Sequence, residues 1–184
     1  MCLLGMTGAA MAATTTNSYS GNQTVSANLV DPGGGDLLAV EVLSGTVQFT
    51  GANTYSGGTE VRGGKFRADT TNSLGTGSVL VQSGSTLLLE CAGTLTNNIS
   101  FADGATLGAN EWNGAAWILD GTVTASGGMM LTEGRCNRSG TFNQHSGKVT
   151  GSGGMLFLSG YRSFTYNMYG DNDYAGPTII GGPT

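Results

Sequence analysis

Apolar residues in this chain recur two apart, the spacing that puts side chains on one face of a strand. Leu38/Val40/Val42, Val47/Phe49, Val79/Val81, Leu87/Leu89, Ile99/Phe101, Val123/Ala125 and Leu156/Leu158 all follow it. Between these segments lie Gly33-Gly34-Gly35, Gly57-Gly58, Gly63-Gly64, Ser83-Gly84, Asp103-Gly104, Asp120-Gly121, Gly127-Gly128 and Gly153-Gly154. Such residues allow tight turns at little steric cost. No window carries helical spacing, and glycine interrupts every candidate. The pattern predicts an all-β chain.

One stretch occurs twice. Gly51, Asn53, Tyr55, Gly57, Thr59, Val61 and Gly63 align without a gap to Gly170, Asn172, Tyr174, Gly176, Thr178, Ile180 and Gly182. A fainter copy runs from Asn17 through Tyr19 and Gly21 to Val25. Repeated turn-and-strand units mark an array in which each unit covers its neighbour's core. Strands at about eight- to twelve-residue spacing fit a sandwich or barrel as well as a solenoid. The repetition favours the solenoid, as do short strands separated by Thr, Asn and Ser that stack in ladders. With about 20–25 residues and about 4.8 Å per rung, roughly seven short rungs would form a rod about 35 Å long. Residues 14–184 read as a single β-solenoid domain, with repeat motifs near 17–25, 46–90 and 151–184.

Composition narrows the function. The 184 residues include 33 glycines, only 10% are charged, and the net charge is −5. A nucleic-acid binder needs a basic stripe to displace counterions, and the seven Lys and Arg are scattered instead. The same scatter argues against an anionic membrane surface. No apolar run reaches the roughly 18–20 residues of a membrane span, so no integral membrane segment is expected.

Residues 1–13 read as the remnant of a secretory signal peptide. An apolar stretch leads to Ala10-Met11-Ala12, a small-x-small cleavage site, and then to a polar start. The basic leading region is missing, and an ordinary apolar first strand is the alternative. Cys2 would leave with the signal. Cys91 and Cys136 would remain in an oxidising compartment, either as a disulfide or as two unpaired thiols.

The residues Val47-Gln48-Phe49-Thr50-Gly51-Ala52-Asn53-Thr54-Tyr55-Ser56-Gly57-Gly58-Thr59-Glu60-Val61-Arg62-Gly63-Gly64-Lys65-Phe66, continued by Leu74-Gly75-Thr76-Gly77 and Val79-Leu80-Val81, resemble the passenger-associated transport repeat of bacterial autotransporters. About 45 residues carry the resemblance, with a further fragment at residues 151–184. It implies a right-handed parallel β-helix, secreted or displayed at the bacterial cell surface. It brings no catalytic residues to positions in this chain. No series of membrane-barrel strands closes the sequence, and it stops inside a repeat at Pro183-Thr184. A fragment of a longer passenger and a small relative secreted by another route both fit.

Candidate chemistry is sparse. His145 is the sole histidine and lacks a Gly-x-Ser-x-Gly elbow, so it reads as a surface turn residue. Asp103, Glu111, Asp120 and Glu133, with Arg135, Arg138 or Lys148, could serve a polysaccharide lyase or hydrolase if two acids converged. Asp103-Gly104 and Asp120-Gly121 also have the form of turns. Asp171-Asn172-Asp173 offers oxygen atoms to Ca²⁺ or forms a solvated turn. Tyr161, Phe164, Tyr166, Tyr169 and Tyr174, beside Arg162, suit sugar or protein contacts, or cap the core. The expectation is a structural or adhesive module without catalytic residues, metal or cofactor. Its expected partner is itself, end to end or laterally in filaments, or a surface glycan or protein; a carbohydrate-active enzyme is the alternative.

Overall fold

The computed structural model describes residues 12–90, 93–109, 116–127, 129–134, 140–144, 147–159 and 164–181. Among them every regular element is a strand, and the strands wind as a coil. The first turn holds β1 (Thr14–Tyr19) and β2 (Gln23–Val25), the second β3 (Leu37–Val42) and β4 (Thr46–Phe49). The third holds β5 (Thr59–Val61) and β6 (Lys65–Ala68). From the fourth turn a third strand joins: β7 (Val79–Val81), β8 (Thr86–Leu89) and β9 (Gly93–Leu95). The fifth contains β10 (Ile99–Phe101), β11 (Thr106–Ala109) and β12 (Ala116–Leu119). β13 (Val123–Ala125), β14 (Met129–Gly134) and β15 (Gly140–Gln144) form the sixth. β16 (Val149–Thr150), β17 (Gly154–Ser159) and β18 (Phe164–Met168) form the seventh, and β19 (Thr178–Gly181) lies beyond it.

Stacked turns produce three sheets. The first runs β1-β3-β5-β7-β10-β13-β16, the second β2-β4-β6-β8-β11-β14-β17-β19, and the third β9-β12-β15-β18. All ladders between these strands are parallel. Among the described residues the one antiparallel contact is an isolated bridge between Gly33 and Asp36. A sandwich joins antiparallel strands through hairpins, so the ladders decide for the β-solenoid. The seven strands of the first sheet correspond to the expected rungs.

Alternation sets what is inside. β3 buries Leu38, Val40 and Val42, and β4 buries Val47 and Phe49. One hydrophobic cluster continues from Leu38 to Phe157. Large and small residues share the space: Phe49 sits in register with Ala68, while Phe66 lies over Val47. The Phe49 and Phe66 rings stack with centroids 4.4 Å apart, and Tyr19 meets Phe49 edge-on at 5.3 Å.

Leu156 and Leu158 share one face of β17, as their spacing predicts, and that face is the outer one. In β17 the fully enclosed side chains are Met155 and Phe157, and both leucines face outward, half-buried. Met155-Leu156-Phe157-Leu158 is apolar in both phases, so spacing alone could not choose between them. Phe157 goes inside, where it meets the Tyr166 ring at 4.7 Å.

Asparagine ties the corners. The Asn53 amide donates to Ser73 O at 2.8 Å, while its Oδ1 accepts the Leu29 N–H at 2.9 Å. Asn97 donates to Gly75 O and Gly77 O. Asn22, Asn28 and Asn98 accept from Thr46, Ala52 and Thr122 N–H. Each of these bonds links neighbouring turns, satisfying backbone groups that no sheet ladder reaches at a bend.

Candidate functional site

The outer face of the first sheet carries a cluster of charged side chains that line an open groove. Alternation that buries Val40 and Val61 turns Glu41 and Glu60 outward. Parallel register places these two glutamates side by side on adjacent turns. Like charges so placed repel, and the neighbours offset this. Arg62 Nε lies 2.5 Å from Glu41 Oε1, and its Nη2 lies 3.1 Å from Glu60 Oε2. Ser18 donates to Glu41 Oε2 at 2.9 Å and Gln82 Nε2 to Glu60 Oε1 at 2.8 Å. Both carboxylates thus have each oxygen engaged, in a chain of contacts across four turns. Exposed ion pairs of this kind contribute at most about 1 kcal/mol each, so the ladder sets alignment more than stability.

Glu41, Glu60 and Arg62 line this groove of about 250 Å³ together with Ala39, Gly57, Gly58 and Leu80. Enclosed small-molecule sites generally start at about 300 Å³ and bury most of the ligand. This groove suits a lateral contact. Sequence reading missed Glu41, Glu60 and Arg62, because their convergence depends on a coil length that no local motif displays.

The repeat residues have a structural role. Gly51, Asn53, Tyr55, Thr59 and Val61 are buried. The Tyr55 and Thr59 hydroxyls are 2.6 Å apart, and Thr59 donates onward to Leu74 O at 3.2 Å. Burial raises the Tyr55 pKa above the ordinary tyrosine value, so its hydroxyl stays protonated as a donor. Tyr174 bonds Thr178 in the same way, and the local conformation is therefore repeated.

Its place in the coil is not. Asn53–Tyr55 lies between β4 of the second sheet and β5 of the first. Asn17 and Tyr19 belong to β1, in the first sheet, and lead into β2 in the second. Asp173 and Ala175 N–H bond Val149 O and Gly151 O, extending the first sheet before β19 enters the second. The first and last copies thus frame one corner and the middle copy another. The sequence repeat is a reusable turn rather than one whole rung.

Asp103 and Asp120 do not come together. Asp103 is exposed in the turn from β10 to β11, whereas Asp120 follows β12 on the way to β13. Glu133 lies in β14, in the second sheet. Lys148 pairs with Asp173 at 2.8 Å, and this hydrogen bond lowers the Asp173 pKa. Asn172 Oδ1 accepts the Val149 N–H at 2.7 Å, so the 171–173 run ties turns together. Among the described residues no group of three or more His, Cys, Asp or Glu could hold a metal ion. Nor is any helix among them long and apolar enough to cross a membrane.

Tyr166 and Tyr174 pack against the core, and Tyr166 donates to Leu158 O. Tyr169 is exposed. Most of residues 1–13, Cys91, Cys136, His145, Glu111, Arg135, Arg138, Tyr161, Arg162 and Gly182 lie outside the described residues, as does the Phe164 side chain.

Asp31 is a further tie that sequence reading missed. Its carboxylate accepts from Leu38 N–H and from both the N–H and hydroxyl of Ser56. The Leu38 bond, then those from Ser56, hold its pKa below the ordinary 3.8. A depressed carboxylate contributes stability that is fully present above its unfolded pKa and lost as pH falls through the folded one. Amide exchange at Leu38 and Ser56 is therefore expected to accelerate on acidification below about pH 3.8, and Asp31→Asn to flatten that response. Unchanged protection through this range would contradict the assignment.

Residues 44–68 match the family model described as passenger-associated-transport-repeat. They are one such repeat, spanning β4, β5 and β6. The chain is also 30% identical over 127 residues to the Adhesin BmaC autotransporter of Brucella suis biovar 1 (strain 1330). That alignment covers 67% of this chain but only 4% of the adhesin. No solved structure matches. Repeat and relative together support an autotransporter passenger-like β-helix.

Proposed function

Starting from a passenger-associated transport repeat wound into a parallel coil, we propose that this chain is a non-catalytic segment displayed outside the bacterial cell. It serves as a rigid spacer with an adhesive side, the outer face of the first sheet. The carrying observation is the Glu41/Glu60 pair: every carboxylate oxygen there is engaged, three of the four by a residue of a neighbouring turn. General acid–base work needs a carboxyl with an oxygen available to substrate. The relative's name, an adhesin, supports the same direction. The partner is a surface protein or glycan seated along the groove that Glu41 and Glu60 line.

Two assays test this. Protease treatment of intact producing cells should remove the protein, and purified protein should bind immobilised host proteins or glycans. Glu60→Arg is expected to weaken that binding at least about threefold by altering the face's charge. Cleavage of a polysaccharide by the purified protein, or its retention in the cytoplasm, would overturn the reading.

Self-association belongs to the same proposal. In β19, Ile180 continues the inward-facing column of Phe157, yet is 81% exposed because no described strand covers it. A turn left uncovered presents apolar surface and unpaired backbone groups. The first turn carries the same motif at the same corner, so it offers a second copy of the described coil a matching surface to stack on β19 head to tail. Sedimentation should show assembly growing with concentration, and Ile180→Lys should shift it toward monomer. Wild-type protein that stays monomeric at high concentration refutes the association.

A further inference from the structure

Building on the export reading above, we propose that cleavage after Ala12 makes Ala13 the amino terminus and that Asp36 then holds its ammonium group. The Ala13 nitrogen lies 2.9 Å from Asp36 Oδ1, and the Ala13 carbonyl accepts the Leu37 N–H at 2.8 Å. Ala13 is thus clamped from both sides immediately before the β1–β3 ladder, which opens with Thr14 facing Leu37. Asp36 reaches this place through Gly33-Gly34-Gly35, whose φ values are 94°, 66° and 91°. Only glycine adopts three such conformations in succession without strain. The turn closes with Asp36 N–H on Gly33 O at 3.1 Å, leaving the carboxylate beside Ala13.

Ala10-Met11-Ala12 supplies the second half of the argument, since leader peptidases cut after a small-x-small sequence. Hydrolysis of the Ala12–Ala13 amide consumes one water. Ala12 receives the carboxylate, and Ala13 receives an amine that is mostly protonated at neutral pH, given an α-amino pKa of about 7.7–8.0. An amide-to-carboxylate hydrogen bond thereby becomes an ion pair of the same geometry, and a stronger one. Among the described strands β1 has a neighbour on one side only, so a lock at its first residue acts on an edge strand, which frays readily. Processing would thus finish the folding of the first turn.

The test has two arms. Intact mass and amino-terminal sequencing of exported protein should identify Ala13 as the first residue. Hydrogen exchange is then compared for purified chains beginning at Ala13 with a free or an acetylated amine. Amides in β1 should exchange about two- to fivefold more slowly with the free amine, and Asp36→Asn should erase that difference. Exported protein with any other terminus overturns the proposal. So does an Ala13 terminus whose acetylation leaves β1 exchange unchanged. A chain that never leaves the cytoplasm defeats the export reading itself, and the cleavage with it.

Discussion

Replacing Phe66 by alanine is expected to lower the unfolding free energy by about 3–5 kcal/mol, measured from the denaturant midpoint. Phe66 is fully enclosed and lies between Val47 below and Leu87 above. Its ring stacks face to face on Phe49, which in turn meets Tyr19, so three aromatic side chains bind the first three turns. Alanine would lose the burial of a large ring and leave a void that fixed backbone ladders cannot close. Ala68 already occupies the neighbouring inward position of β6, so no side chain there can swing into the space. Phe66→Leu keeps most of the volume and should cost about 1–1.5 kcal/mol. Because each turn touches only its neighbours, loss of exchange protection should centre on β4, β6 and β8 and spare β17. Even loss along the whole coil, or a cost below about 1 kcal/mol, would contradict this view of the core.

The sequence made such a core legible because its alternation was clean. Val47 and Phe49 or Ile99 and Phe101 have polar or small neighbours, so only one phase could face inward. Where both phases were apolar, as in Met155-Leu156-Phe157-Leu158, spacing could not tell which pair faces inward. The repeat located a turn of fixed local geometry, shown by the Tyr55–Thr59 and Tyr174–Thr178 contacts. It could not locate that turn within the coil, since coil length varies from turn to turn: Val40 faces Thr59, whereas Val123 faces Val149. The Glu41–Glu60–Arg62 ladder was hidden for the same reason. Its members become neighbours through register, and register follows from the corners, where glycine and asparagine leave little apolar pattern to read.

Those corners are where the second large effect is expected. Gly121→Ala should destabilise the chain by about 3 kcal/mol, although Gly121 has no left-handed backbone conformation to protect. The cause is contact: a Cβ there would fall 1.9 Å from Asn97 O and 2.4 Å from Asn97 C. Those atoms are backbone of the turn below, and the same turn carries the Asn97 bonds to Gly75 O and Gly77 O, so it cannot yield without breaking other ties. Gly147 meets Gly121 O in the same manner from above, at 2.0 Å for its own Cβ. The column therefore closes only if the two residues stacked above Asn97 lack a side chain. Gly104 is the opposite case. Its φ of +71° is left-handed, but a Cβ would meet only the Ser83 hydroxyl oxygen, at 3.7 Å. Gly104→Ala should cost about 1 kcal/mol, from backbone strain alone. Chemical denaturation of the two variants separates a contact limit from a conformational one. Equal losses would mean that the fifth turn can lift from the fourth, and that the corner is looser than its glycines indicate.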